Sequence, residues 1–137
     1  MPNTNQRWTW SGQAGHPTLM LQCIKNRKMI NMTDFTFATD RKNRVFISGP
    51  MSGYALYNFP AFNTLAKQLT DQGMIAVNPA DIGVVEGAEW EDYVRATIRM
   101  LMTCERVHVL PNWQESRGAC LEIDIATQLG MPITFEE

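Results

Sequence analysis

The sequence predicts an α/β domain in which helices cover both faces of a parallel sheet of four or five strands. Short apolar runs with β-branched residues alternate with longer segments of helical period from residue 44 to the C-terminus. Glycine, proline or asparagine interrupts the chain after each apolar run. The 137 residues are 45% hydrophobic, which is enough for one core without disulfides or metals.

The first predicted strand starts at Arg44, and its apolar run covers residues 45–47. Residues 48–53, which are Ser48, Gly49, Pro50, Met51, Ser52 and Gly53, interrupt it. A strand followed by a glycine-containing turn resembles a phosphate-binding loop, but the spacing matches neither the Rossmann nor the P-loop pattern. A plain tight turn explains these residues equally well.

The first helix is predicted to start at Asn58 as N-cap, with Pro60 in its first turn. Its apolar stripe consists of Phe59, Phe62, Ala66 and Leu69. Gly73 is expected to end the helix in a left-handed conformation. Residues 74–77 form the second strand, and residues 78–80, which begin with Asn78, stop it.

The second helix is predicted over residues 90–103. Its buried face should contain Trp90, Tyr93, Val94, Ile98, Leu101 and Met102. Thr97 is the one polar residue in this stripe. A threonine there usually bonds a carbonyl of the preceding turn, and a ligand-facing hydroxyl is the alternative interpretation.

The third strand covers residues 106–110, and a third helix follows with Ser116 as its N-cap. The backbone N–H groups of Arg117, Gly118 and Ala119 should then point to the carboxyl end of the strand, where they suit an anion. Gly130 ends this helix, and residues 131–135 form a short last strand.

Glu122 lies about one turn after Gly118 and Ala119 and shares a helix face with them, so small side chains leave space over its carboxylate. The alternative is an ordinary position on the solvated helix face. A sheltered carboxylate beside an anion site can attack an anomeric carbon, as in retaining glycosidases.

Three loops should meet at the carboxyl ends of the strands, namely residues 48–53, 78–80 and 112–118. Met51, Tyr54 and Trp113 offer soft or flat surfaces for a heterocycle. Met51 and Trp113 are equally suited to closing the core at the edge of the sheet.

Composition excludes several classes of function. A net charge of −2 gives no reason to expect a nucleic-acid polymer as partner. The three cysteines lack metal-site spacing and indicate reduced thiols, so neither a metal nor a cofactor is predicted. No apolar run approaches the roughly 20 residues of a membrane span, and the start does not resemble a signal peptide. A cytoplasmic protein is expected.

Residues 1–43 show no clear helical or strand period, and they include Trp8 and Trp10. They are predicted to be a mobile N-terminal extension, or upstream sequence ahead of a start at Met29 or Met32. The alternative is an arm that packs on a partner subunit, because two tryptophans are costly to leave in water. Residues 44–137 form the predicted domain.

Four ordered motifs, at residues 45–53, 57–62, 77–80 and 113–122, resemble a small phage and bacterial domain of uncharacterised function. That domain is similar to the nucleoside 2-deoxyribosyltransferase and deoxynucleotide N-glycosidase superfamily. The resemblance covers about residues 44–133. It implies a three-layer flavodoxin-like (Rossmann-like) fold, a nucleoside or nucleotide ligand, and a dimer or higher homo-oligomer.

The resemblance also implies roles for individual residues. Glu122 matches the nucleophile of the family, which forms a covalent deoxyribosyl intermediate. Ser116, Gly118 and the turn from Ser48 to Gly53 match the sugar- and phosphate-binding loops. The predicted substrate-binding residues are Ser48, Gly49, Met51, Ser52, Gly53, Asn78, Thr97, Trp113, Ser116, Arg117 and Gly118.

One departure from the family pattern affects the expected activity. Thr97 stands where the family commonly has an aspartate, and a threonine cannot act as a general acid near neutral pH. This difference puts turnover in question and leaves the fold unaffected.

Three hypotheses for the function follow. The first is an enzyme that hydrolyses or transfers the N-glycosidic bond of a deoxynucleoside, with Arg117 favouring a 5′-monophosphate. The second is a non-catalytic module that sequesters or senses a nucleotide. A structural protein with a relict pocket is the third.

Overall fold

The computed structural model describes residues 38–137. The predicted N-terminal extension, with Trp8 and Trp10, lies almost entirely outside the described residues. The strands are β1 (Arg44–Ser48), β2 (Ile75–Val77), β3 (Arg106–Val109) and β4 (Ile133–Phe135). The helices are α1 (Phe59–Asp71), α2 (Trp90–Met102) and α3 (Arg117–Gln128). No helix within this range is long and apolar enough to cross a bilayer.

The four strands form one parallel sheet in the order β2-β1-β3-β4. Phe46 of β1 lies in register with Val77 of β2 on one side and with Val107 of β3 on the other. The strand order reverses between β1 and β3, which is where ligands bind in open α/β sheets. The predicted α/β class and its four-stranded parallel sheet are confirmed, and the domain is a flavodoxin-like three-layer fold.

Two apolar cores lie on opposite faces of the sheet. The core between the sheet and helices α2 and α3 includes Phe46, Leu101, Val107, Val109 and Ile123. The core under α1 includes Val45, Ile47, Phe62, Leu65 and Leu69. Strand β1 contributes to both cores because its successive side chains alternate between the two faces. This central position explains why nearly every residue of β1 is buried.

The helix ends follow the predicted glycines but not the predicted N-cap of α1. Gly73 and Gly130 adopt left-handed backbone, with φ of 84° and 67°, and so end α1 and α3 as expected. Asn58 makes no side-chain capping bond and has a left-handed φ of 60°. Its Nδ2 instead donates to the Pro50 carbonyl, 2.9 Å away. This side chain therefore ties α1 to the turn after β1.

The predicted buried face of α2 is only partly correct. Val94 and Leu101 are buried, whereas Trp90, Tyr93 and Ile98 are half-buried and Met102 is 38% exposed. Each residue of a helix is rotated by about 100° from the one before it, so Leu101 and Met102 cannot both face the sheet. Leu101 occupies the core position, and Met102 turns towards solvent.

Three consecutive residues before α1, Leu56, Tyr57 and Asn58, have left-handed backbone. Such backbone costs about 1–2 kcal/mol at a non-glycine residue. Leu56 is 74% exposed, so its side chain contributes little packing. We therefore expect Leu56→Gly to be more stable than Leu56→Ala by about 1 kcal/mol in urea denaturation.

Leu121 is the matched control because it is also exposed but lies inside α3. In a right-handed helix, glycine costs roughly 1 kcal/mol relative to alanine, so Leu121→Gly should be less stable than Leu121→Ala. The same order of stability at both sites would contradict the left-handed assignment of Leu56.

Candidate functional site

A cavity of about 670 Å³ opens at the carboxyl ends of β1 and β3. Its walls come from the turns after β1 and β2, the loop before α2, and the N-terminal parts of α1, α2 and α3. Pockets that bind small molecules measure roughly 300–1,000 Å³. The cavity is thus the right size for a small molecule, and it lies at the point where the strand order reverses.

Glu122 lies in this cavity with its carboxylate turned towards the sheet. The side chain is only 6% exposed, so the alternative of a solvated helix face is wrong. The Ser48 hydroxyl donates to Glu122 Oε2 over 2.5 Å. Ser48 is the last residue of β1, and alternation along the strand turns it to the same face as Phe46. The first strand and the third helix therefore hold the carboxylate between them.

Thr97 lies against the same carboxylate. Its hydroxyl donates to the Val94 carbonyl over 3.1 Å, as expected for a buried helix threonine, and it is near enough to the Glu122 carboxylate to lower the pKa of that group. Because the hydroxyl has one proton, it can donate to only one of these oxygens at a time. The bond to the preceding turn confirms the structural interpretation of Thr97. The residue also lines the cavity, but a hydroxyl that faces a ligand stays a prediction.

Burial dominates the ionisation of Glu122. Removal of the carboxylate from water raises the pKa of Glu122 from 4.5 to about 7, while hydrogen bonds from Ser48 and Thr97 oppose this rise. Near neutral pH the group therefore exists in both forms. The ionised form can act as a nucleophile or base, and the protonated form can donate a proton.

The first turn of α3 forms a positive end of the cavity. The Ser116 hydroxyl accepts from the backbone N–H of Ala119 over 3.2 Å. Contrary to the prediction, this N–H is therefore not available to a ligand. Arg117 and Gly118 are the first two residues of the helix, so their backbone N–H groups have no carbonyl acceptor within the helix. The Arg117 guanidinium lies 3.8 Å from the centroid of the Trp90 ring, which holds its charge at this end.

The remaining walls are aromatic and aliphatic. The rings of Tyr57 and Phe59 lie 5.7 Å apart at 39°. The Tyr93 hydroxyl accepts from the Val85 N–H over 2.8 Å and donates to the Val85 carbonyl over 3.2 Å, which ties the loop before α2 to that helix. Trp90, Tyr57 and Val85 also line the cavity.

Residues 43–135 match a protein family described as "Domain of unknown function (DUF4406)". The chain belongs to this family. The curated proteins compared with the chain gave no significant match. The membership agrees with the small uncharacterised domain predicted from the four motifs. A relationship to the deoxyribosyltransferase superfamily is not part of this match and stays a prediction.

The DUF4406 domain brings most of the predicted site residues together. Those that line the cavity are Gly49, Met51, Ser52, Thr97, Ser116, Arg117, Gly118 and Glu122. Ser48 reaches the site through its hydrogen bond to Glu122. Their roles towards a substrate stay predictions.

Besides Ser48, three predicted residues do not line the cavity. Gly53 is exposed and turns the chain with a φ of 83°. Asn78 is buried, and its side chain accepts from the Ala80 N–H over 3.0 Å and donates to Asn63 over 2.9 Å. Trp113 packs on the ring of Phe135 at 5.5 Å, which supports its structural interpretation. Tyr54 is also outside the lining.

Sequence reasoning missed the wall residues because they are apolar. Trp90 and Tyr93 were expected in the core, yet they are half-buried because they face the cavity instead of the sheet. Tyr57 falls in the second family motif but carried no chemical signal. A useful signal was their position, since aromatic residues at the starts of helices follow the carboxyl ends of strands.

The acidic residues at the start of α2 do not supply a second carboxylate to the cavity. Asp92 accepts from the Glu89 N–H over 3.0 Å, and the two residues form the capping box of the helix. Glu115, which is exposed, is the other carboxylate in the lining. Within residues 38–137, no three His, Cys, Asp or Glu side chains are placed to hold a metal ion.

Two glycines of the site should respond differently to alanine. A Cβ on Gly49 would lie 2.8 Å from Leu110 Cβ, so we expect Gly49→Ala to destabilise the domain by about 1–3 kcal/mol. A Cβ on Gly118 would meet Val94 and Ser116 at 3.9 and 4.0 Å, which is ordinary contact. Gly118→Ala should therefore not lose stability in urea denaturation, and it should gain up to about 1 kcal/mol because alanine favours the helix. Equal stability of the two variants would contradict the close packing at Gly49.

Proposed function

We propose that this chain is a nucleotide-processing enzyme that cleaves the N-glycosidic bond of a 2′-deoxynucleoside 5′-monophosphate, with Glu122 as the nucleophile. The observation that carries the proposal is the carboxylate of Glu122, which is buried in a cavity of about 670 Å³, accepts from Ser48 and lies beside Thr97. A buried carboxylate is costly, so its position in a cavity is typical of a functional group.

The chemistry follows from that carboxylate. The ionised Glu122 attacks C1′ of the sugar, and the C1′–N bond breaks through an oxocarbenium-like transition state. The base leaves with the bonding electron pair and takes a proton from solvent. Water then attacks C1′, which releases the sugar phosphate and a proton and restores the carboxylate. Transfer to a second base would use the same intermediate.

The positive end of the cavity supports a phosphorylated substrate. Arg117 and the first amides of α3 offer a guanidinium, two N–H donors and the helix dipole to an anion. A 5′-phosphate is the group of a nucleotide that suits these donors, and guanidinium binds phosphate in a bidentate geometry. The family resemblance implies a homo-oligomer from a bacterium or phage, and the composition favours the cytoplasm of the bacterium or phage-infected cell.

A second candidate is a nucleotide-binding module without turnover. Thr97 favours it, because the hydroxyl beside Glu122 cannot protonate a leaving base at neutral pH. The raised pKa of Glu122 favours it too, since part of the population is protonated and cannot attack. This candidate keeps the cavity and the anion end but assigns no covalent step.

The experiment incubates the full chain with the common deoxynucleosides and their 5′-monophosphates and measures free base by chromatography. Base release from the monophosphates, lost in Glu122→Ala, is the result expected for the enzyme. Binding of a nucleotide without any base release would replace the enzyme with the binding module. If no nucleotide binds, both candidates fail.

A further inference from the structure

A strained segment borders the cavity. Leu56, Tyr57 and Asn58 have φ of 51°, 52° and 60°, which is left-handed backbone at three successive non-glycine residues. Such backbone persists only where the surrounding structure holds it, and it is typical of functional sites. Here the Tyr57 N–H donates to the Tyr54 carbonyl over 3.1 Å, and Asn58 Nδ2 donates to the Pro50 carbonyl over 2.9 Å.

The segment presents one aromatic ring to the cavity. Tyr57 and Phe59 both line the cavity and pack on each other at 5.7 Å. Tyr57 is 51% exposed, so half of its surface is open to contact. Neither the left-handed backbone nor the exposed ring favours stability. Their combination therefore indicates a surface kept for a ligand.

We infer that Tyr57 and Phe59 form the subsite for the nucleobase, with the base stacked on the open surface of Tyr57. The inference rests on the proposed function and assigns the base to the outer part of the same cavity. Glu122 is far more buried than Tyr57, so a nucleotide would place its sugar inside and its base at the rim. The exposed side chains of Val84 and Val85 also line the cavity and add apolar surface for a flat heterocycle.

The chemistry of this subsite limits what it can select. Stacking on an aromatic ring works with every base, because every base has a π-face. Tyr57 should therefore contribute affinity for all four deoxynucleotides and none for a sugar phosphate that lacks a base. Phenylalanine at position 57 keeps the aromatic ring and should preserve nucleotide affinity, whereas alanine removes the ring and should lower that affinity.

The test compares Tyr57→Ala, Tyr57→Phe and Leu56→Ala in the full chain, with Glu122→Gln present so that nothing is turned over. Each of the four deoxynucleoside 5′-monophosphates and 2-deoxyribose 5-phosphate is titrated by calorimetry. Tyr57→Ala should raise Kd for the nucleotides by about 5- to 150-fold and leave Kd for the sugar phosphate within about twofold. Tyr57→Phe should restore nucleotide binding. Leu56→Ala is the matched control, because Leu56 shares the backbone but does not line the cavity.

Four results would overturn the inference. An unchanged nucleotide Kd in Tyr57→Ala removes the stacking role and leaves the proposed function standing. An equal loss for 2-deoxyribose 5-phosphate means that Tyr57 supports the whole cavity and not the base. A changed oligomeric state in sedimentation, with unchanged affinity, assigns the exposed ring to a second copy of the chain. If the parent protein binds no nucleotide, the proposed function and this subsite fail together.

Discussion

Glu122→Gln should lower base release from deoxynucleoside 5′-monophosphates by about 10³-fold or more. Glutamine keeps the shape of the side chain and an oxygen that accepts from Ser48, but it cannot form the covalent bond to C1′. The fold should persist because the side-chain volume is unchanged. The measurement is free base by chromatography, with circular dichroism to verify folding.

Asp124→Asn is the matched control for this variant. Asp124 lies on α3 two residues from Glu122, and its side chain is exposed. The substitution removes one carboxylate from the same helix, so a general charge effect would appear in both variants. Base release that stays within about tenfold of wild type in Glu122→Gln would reject Glu122 as the nucleophile.

The pH profile separates two roles of the same carboxylate. A nucleophile must be ionised, and burial raises the pKa of Glu122 to about 7. The rate should therefore rise with pH up to about 7 and level off above it. A rate that falls as pH rises through 7 would indicate that Glu122 donates a proton instead.

The stability of the domain should fall as pH rises from about 4.5 to about 7. The pKa of Glu122 is about 7 in the folded chain, whereas the ordinary value of 4.5 applies in the unfolded chain. Between these two pH values the folded state therefore binds more protons than the unfolded state. Stability therefore decreases with pH there, and the stabilisation is fully present below the lower value. The rise in pKa corresponds to a loss of about 3 kcal/mol in the free energy of unfolding across this pH window.

Glu122→Gln should remove this dependence because glutamine does not titrate. The difference in unfolding free energy between wild type and variant should shift by about 3 kcal/mol in favour of the variant between pH 4.5 and pH 8. Urea denaturation at a series of pH values measures it, and comparison of the two proteins cancels the other titrating groups. A constant difference across the series would show that burial does not disfavour the charged carboxylate.

The elements of the fold were readable because each depends on local pattern. The apolar runs of β1 and β3, the glycines that end α1 and α3, and the Ser116 cap of α3 all matched the structure. Prediction from local sequence pattern failed where contacts with other parts of the chain determine the conformation of a residue. Asn58 was expected to cap a helix, but its backbone is left-handed and its amide bonds Pro50.

The candidate site was likewise predictable in part from the sequence. The loops that meet at the carboxyl ends of the strands were predictable from the βα order. Which side chains in them reach the cavity was not. Asn78 and Trp113 have suitable chemistry, yet Asn78 bonds Asn63 of α1 and the Ala80 N–H, and Trp113 packs on Phe135. Residues such as Tyr57 and Trp90 reach the cavity through backbone conformation and helix position, which leave no chemical mark in the sequence.

The sequence by itself determined the α/β class, the four parallel strands and the place of the candidate site, because hydrophobic period and turn residues act locally. Only the tertiary structure decided that Glu122 is buried beside Ser48 and Thr97, which come from two other elements. Burial is a property of everything packed around a group, so the raised pKa of Glu122 depends on that packing. The open ring of Tyr57 depends in the same way on contacts that the linear sequence does not show.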